Sequence, residues 1–282
     1  MSPTTCPCGG LLIPIRRAFD QYVNLRPIRL FDGVSPRVTL PEGRDIDLLI
    51  VRENTEGEYS ESGGRFMRGT QREFAVQNDI FTRIGIERIT RYACEEATAR
   101  RGHLTSATKS NGVIHTMPFW DEVVAEVAAE YPSLTVDKRL IDALAAELVL
   151  RPFDFDVIVA SNLYGDILSD LAAAIVGSLG IAASANLNPE RRFPSMFEPV
   201  HGSAPDIAGL GVANPVAAVW SGALMLEHLG RGHAASRIMR AMESTLADPH
   251  TRTRDLGGTA STQGVVDALL AQIANETVPN RA

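Results

Sequence analysis

Several kinds of chemistry are excluded by what this 282-residue sequence lacks. It has three cysteines, Cys6, Cys8 and Cys94. Three cannot build a disulfide framework, and no second CxxC-type pair completes a zinc site. Such usage fits a reducing cytoplasm. There is no excess of positive charge: the net charge is −7, so no field for nucleic acid or an acidic membrane is present. No apolar run reaches the roughly 18–20 residues of a membrane span. The longest, residues 171–185, is broken by Gly177, Ser178 and Gly180. MSPTTCPCGG has neither the basic start nor the apolar centre of a secretory signal. GxGxxG, GxxxxGK[ST] and GxSxG are all missing. His103, His115, His228, His233 and His250 show no metal-ligand spacing.

What is present is an ordinary globular composition, 45% apolar and 22% charged, with strands and helices in alternation. DIDLLIVRE (residues 45–53) reads as a buried strand ending in charge, and REFAVQN (72–78), which alternates, reads as a second strand. Thr82 is expected to cap a helix running to about residue 101, with Ile84, Ile89, Tyr92, Ala93 and Ala97 facing inward. HLTSATKSNG (103–112) is a strand running into a loop. A helix over 117–132 ends at Pro132. A strand over 134–139 and a helix to about residue 150 follow, then the strand FDVIVAS (155–161). Residues 182–199 read as loop. Three helical segments, near 215–229, 234–246 and 262–275, close the chain. With few strands accompanying them, they imply a sheet supplied from elsewhere.

Four groups of residues carry candidate chemistry. In NLYGDILSD (162–170), Asp166 and Asp170 lie one helical turn apart, on one face. A divalent cation between them would relieve their repulsion, and hard oxygen ligands suit Mg²⁺ or Mn²⁺. The alternative is two acids at a helix start, favoured by its dipole. Gly165 is expected to let the backbone turn from strand into helix. Arg16, Arg26 and Arg52 sit among apolar residues, and guanidinium forks bind carboxylates in pairs; each could equally serve a salt bridge. Lys109 follows a strand end and could act as a base, and Tyr59 as a proton donor. FEPVHGSAPDIAGLGVANP (197–215) is a long Gly/Pro-rich loop of the kind that wraps a ligand.

IRRAFDQYVNLRP, VRENTEGEYS, HLTSATKSNG, ASNLYGDILSDL, SANLNPER, FEPVHGSAPDIAG, VANP and LGGTASTQ occur in that order over nearly the whole chain. Together they closely resemble the β-decarboxylating dehydrogenases, the isocitrate/isopropylmalate dehydrogenase family, and within it most closely the D-malate and tartrate branch. The resemblance implies a two-domain α/β fold. One domain would comprise residues 1–21 plus 177–282 and bind NAD. The other, 22–176, would carry substrate, metal and the dimer interface. The GDGIG-type opening of the family has no counterpart, so the first domain is expected to be incomplete.

For the site, the resemblance implies that Arg16, Arg26 and Arg52 clamp a small 2-hydroxy dicarboxylate. Asp166 and Asp170 would hold Mg²⁺ or Mn²⁺, with Asp142 supplied by a second subunit of a homodimer. Lys109 would relay a proton across the same interface, and Tyr59 would be the general acid. Glu198, His201, Gly202, Ser203, Ala204, Asp206 and Asn214 would face NAD, Asp206 disfavouring a 2′-phosphate. The implied reaction converts D-malate to pyruvate and CO₂. Tartrate, isocitrate or isopropylmalate are alternative substrates, since the segment around Leu12 and Ile13 that faces the variable side chain is cut short. Tyr164 stands where phenylalanine is usual. The contrasting reading is a shortened homologue without activity, serving only as a dimer partner.

Overall fold

The computed structural model describes residues 11–275; Cys6 and Cys8 lie outside them. Among the described residues, no helix is long and apolar enough to cross a membrane. Seven strands form one mixed sheet in the order β6-β5-β7-β2-β1-β8-β9. These are β1 (Val23–Arg29), β2 (Asp47–Glu53), β5 (His103–Thr108), β6 (Thr135–Leu140), β7 (Val157–Ala160), β8 (Ala183–Leu187) and β9 (Met196–Pro199). β6, β5, β7 and β2 run parallel. β1 is antiparallel to both β2 and β8, and β9 is antiparallel to β8. β3 (Gly63–Phe66) and β4 (Phe74–Gln77) make a separate exposed ribbon.

The β2 run LLIV is continuous because both faces of the sheet are covered. Leu48 and Ile50 enter one core, Leu49 and Val51 the other, as the two-residue period of a strand requires. On the Leu49 side lie α2 (Arg83–Ala99) and α3 (Thr116–Ala128). On the Leu48 side lie α4 (Ile141–Leu150) and α5 (Asn162–Ile175). α6 (Val216–His228) packs on β8 and β9, followed in turn by α7 (Gly232–Ala247) and α8 (Thr262–Asn275).

Thr82 caps α2 as expected, its side chain accepting from Gly85 N at 3.0 Å. Ile84, however, is exposed; Ile86 takes the buried position two residues on. α3 stops at Ala128, well before Pro132, where the chain tightens into consecutive turns. One strand has no counterpart in the sequence reading, and one sequence expectation is corrected. VNLRPIR is a central strand despite Pro27: β8 pairs only with Val23–Leu25, so the proline sits where no second ladder needs its N–H. Residues 182–199 contain β8 and β9 rather than loop alone, so the sheet itself runs from the middle of the chain under α6.

Candidate active site

The parallel strands end side by side, and their carboxyl-terminal loops carry the predicted chemistry, the usual place for a site in such a sheet. Arg52 is near the end of β2, Lys109 follows β5, and α5 follows β7. Ser161 begins α5, its Oγ accepting from Tyr164 N at 3.4 Å. Gly165 is therefore not the turning point. It lies inside the helix, donating to Ser161 O at 2.8 Å, and its φ is not positive. It is needed because a Cβ there would meet Arg52 Cβ at 2.6 Å and Cγ at 2.7 Å. The helix crosses directly over the aliphatic stem of the arginine.

That crossing brings six predicted residues together. Arg52 is ion-paired to Asp166 and donates to Asn162 Oδ1 from Nε at 3.0 Å and from Nη2 at 2.7 Å. Arg26 lies 3.1 Å from Asp166 and 3.6 Å from Asp170, and it also donates to Ser169 Oγ. The Tyr59 hydroxyl donates to Asp166 Oδ2 at 3.0 Å. Arg16, from α1 (Ile13–Ala18), donates to Glu198 Oε1 at 3.0 Å, while its buried Nε has no partner among the described residues.

The electrostatics follow from this crowding. Burial lowers both Arg26 and Arg52, Arg52 to about 10, and the guanidiniums of Arg16, Arg26 and Arg52 oppose one another's charge. Burial works to raise Asp166, but Arg52, Arg26 and the Tyr59 hydroxyl hold it below the ordinary range. Asp170 moves the other way: desolvation and the Asp166 charge outweigh the pull of Arg26. Tyr59 is raised by burial and then by Asp166, so it keeps its proton here.

Lys109 and Asp142 are not in this cluster. They pair with each other at 2.6 Å, with Asp142 exposed. Among the described residues no three His, Cys, Asp or Glu side chains are grouped to hold a metal. One chain thus presents two hard carboxylate donors, Asp166 and Asp170, and the third predicted donor lies on a separate exposed surface.

A cavity of about 880 Å³ opens beside the loop after β9. Its walls include His201, Gly202, Ser203, Ala204 and Asn214. Ala204 holds a left-handed φ of 41°, a strained conformation of the kind that collects at ligand walls. Asp206 is exposed on the turn Pro205–Ile207, next to the cavity-lining Ile207. Glu198 is not among the lining residues; it bridges Arg16 and Asn186.

Sequence reasoning missed two groups. Asp255 lines the cavity and accepts from Ser178 Oγ at 2.6 Å, Asn214 Nδ2 at 3.0 Å and Thr253 Oγ1 at 2.5 Å, which fixes Asn214. The quoted segment LGGTASTQ pointed just beyond it. A buried amide relay also runs from Arg26 to Asn24 (2.6 Å), Asn24 to Asn186 (2.8 Å) and Asn186 to Glu198 (3.0 Å), tying the arginines together. Asparagine in the middle of otherwise apolar strands was its only signal.

Known proteins resemble this chain in sequence and in fold. The sequence profile described as Isocitrate/isopropylmalate dehydrogenase matches residues 3–269. D-malate dehydrogenase (decarboxylating) of Escherichia coli (strain K12) is 54% identical over 266 residues, covering 92% of this chain and 73% of that protein. Tartrate dehydrogenase/decarboxylase of Pseudomonas putida is 54% identical over 272 residues, 94% of this chain and 74% of its own length. The crystal structure of isocitrate dehydrogenase from Methylococcus capsulatus superposes with a TM-score of 0.87 at 38% identity, covering 95% of this chain and 79% of the other. With a family profile and relatives that agree over nearly its full length, the chain belongs to the isocitrate/isopropylmalate dehydrogenase family.

Proposed function

We propose that the protein catalyses the NAD- and divalent-metal-dependent oxidative decarboxylation of a small 2-hydroxy dicarboxylate, D-malate first. The observation that carries the reading is the convergence of Arg26, Arg52 and Tyr59 on the Asp166–Asp170 pair, with Arg16 near enough to oppose the charge of both arginines. The buried Nε of Arg16, without a partner among the described residues, is free to donate to a ligand carboxylate. Asp166 and Asp170 fit a hard cation, and Asp142 of the partner subunit would complete its donor set. A bound Mg²⁺ or Mn²⁺ would supply Lewis-acid polarisation of the 2-oxygen, and NAD⁺ held by the His201–Ala204 loop and Asn214 would supply a hydride acceptor. Exposed Asp206 disfavours a 2′-phosphate, which supports NAD over NADP.

The chain's own residues then have defined tasks. Arginine forks hold both substrate carboxylates and orient C2. Lys109 takes the hydroxyl proton as C2 is oxidised. The C3–carboxylate bond breaks and CO₂ leaves. Tyr59 gives its proton to C3 of the resulting enolate, so its O–H bond breaks as the C–H bond forms and the ketone is left. The half-buried Lys109 paired to exposed Asp142, with apolar Val149, Leu150 and Ile167 exposed on α4 and α5, supports a homodimer with a shared site. The two lobes, 22–176 and 1–21 plus 177–282, would meet at the cleft between the aspartates and the nucleotide cavity. The buried free thiol of Cys94, raised by burial to about 11, suits a reducing cytoplasm.

Purified protein with Mn²⁺, NAD⁺ and D-malate should form NADH and CO₂ in equal amounts. No turnover with D-malate, tartrate, isocitrate and isopropylmalate alike would overturn the proposal.

A further inference from the structure

We propose that Glu58 is a positioning residue for Tyr59, fixing the tyrosine hydroxyl over the aspartate pair by capping the helix that carries it. The functional meaning rests on the reading of Tyr59 as proton donor; the positioning itself rests on geometry.

The loop ENTEGEY leaves the end of β2 and must deliver Tyr59 to α5 across open sequence. It does so through three contacts with the first turns of that helix. The Asn162 side-chain amide donates to Glu56 O at 3.1 Å. The Glu58 carboxylate accepts from Ser161 Oγ at 2.5 Å and from Leu163 N at 3.1 Å. The Tyr59 hydroxyl donates to Asp166 at 3.0 Å. Glu58 and Tyr59 are adjacent, so a carboxylate locked on the helix start leaves the neighbouring tyrosine little freedom. From the other side, Arg17 Nη2 donates to Tyr59 O at 2.6 Å.

The chemistry of the cap favours this anchor over a neutral one. The first N–H groups of a helix have no partners within it and carry partial positive charge. Ser161 serves Tyr164 N only at 3.4 Å, leaving Leu163 N to Glu58. A charged acceptor makes a stronger bond there than a neutral one. The other glutamates of the loop hold different ground. Glu53 accepts from Thr55 N and Glu56 N within the loop. Glu56 accepts from Thr82 N at 2.9 Å and Thr82 Oγ1 at 2.8 Å, at the start of α2. Glu58 is the side chain of the three that joins the loop to the aspartate-bearing helix.

A plain helix cap would affect stability alone; a positioning residue acts through Tyr59. The test compares E58A, E58Q, Y59F and E58A/Y59F for kcat, KM and Tm, with a crystal structure of E58A. E58A should lower kcat about 10- to 100-fold with KM nearly unchanged, the scale of a misplacement near 1 Å. E58Q keeps an oxygen for Leu163 N and should recover most of the loss. In the Y59F background E58A should add nothing further, the non-additivity of residues acting as a unit. The E58A structure should show the Tyr59 hydroxyl beyond hydrogen-bond reach of Asp166. A lower Tm with unchanged kcat, equal losses in both backgrounds, or Tyr59 still on Asp166 would each overturn the proposal. Full activity in Y59F would instead remove the proton-donor reading, and the crystal structure would still decide the positioning.

Discussion

Replacing Gly165 by alanine tests how tightly the site is built into the fold. Alanine is favoured over glycine inside a helix by about 1 kcal/mol. Here the added Cβ would lie 2.6 Å and 2.7 Å from Arg52 Cβ and Cγ, against roughly 3.5–4.0 Å for an unstrained carbon contact. One of the two must move by about 1 Å, and neither is free to. Arg52 is buried in the sheet and bonded to Asn162 and Asp166, which belong to the same helix. Overpacking of this kind costs roughly 1–3 kcal/mol, and distorting a charged hydrogen bond another 1.5–3, roughly. Set against the propensity gain, G165A should be less stable by about 3 kcal/mol in urea melts. A guanidinium displaced by about 1 Å should also lower kcat/KM on the order of 100-fold. Gly222, in α6, is the control: a Cβ there meets nothing within 4 Å. G222A should gain up to about 1 kcal/mol and keep its activity. A G165A protein as stable and active as wild type would refute the argument that α5 rests on the Arg52 stem.

Other outcomes follow from the same geometry. Glu53 is fully buried and its carboxyl is raised to about 7, by burial first, against the hydrogen bonds it accepts. A raised folded-state value means its contribution is present below about pH 4.5 and is lost as pH rises towards 7, on the order of 3 kcal/mol in all. Urea melts of E53Q should show a flatter fall in stability across that window; an unchanged slope would remove Glu53 as its cause. Mn²⁺ at about 100 times its Kd should stabilise the wild type by about 2.7 kcal/mol. D170N leaves Asp166 for Arg26 and Arg52, so it should fold but lose most of that gain in thermal melts; an equal Mn²⁺ effect would exclude Asp170 as a ligand. K109A and D166N, each inactive alone, should recover about a quarter of wild-type activity when subunits are mixed one to one, since half the dimers then hold one intact site. No recovery after demonstrated exchange would place Lys109 and Asp166 in the same subunit's chemistry.

Much of this protein is written locally. Buried parallel strands read from continuous apolar runs, and α2 from its period and its cap, because those signals depend only on neighbours in sequence. Family motifs brought the arginines, Tyr59, Lys109 and the aspartates into view. What sequence left undecided depends on contacts between distant segments. VNLRPIR becomes a strand because β2 is beside it, and the proline is harmless only because β8 stops short. Ile84 follows a helical pattern yet faces outward, since the sheet meets α2 along Ile86 and Ile89. The role of Gly165 could not be inferred from its place after a strand, because its reason is the stem of an arginine 113 positions earlier, Arg52. The residue types needed for a hydroxy-acid site are present in the linear chain. Their working values come only from packing distant segments together: Arg52 and Arg26 hold Asp166 low, desolvation and the Asp166 charge raise Asp170, and burial with Asp166 keeps the Tyr59 proton in place.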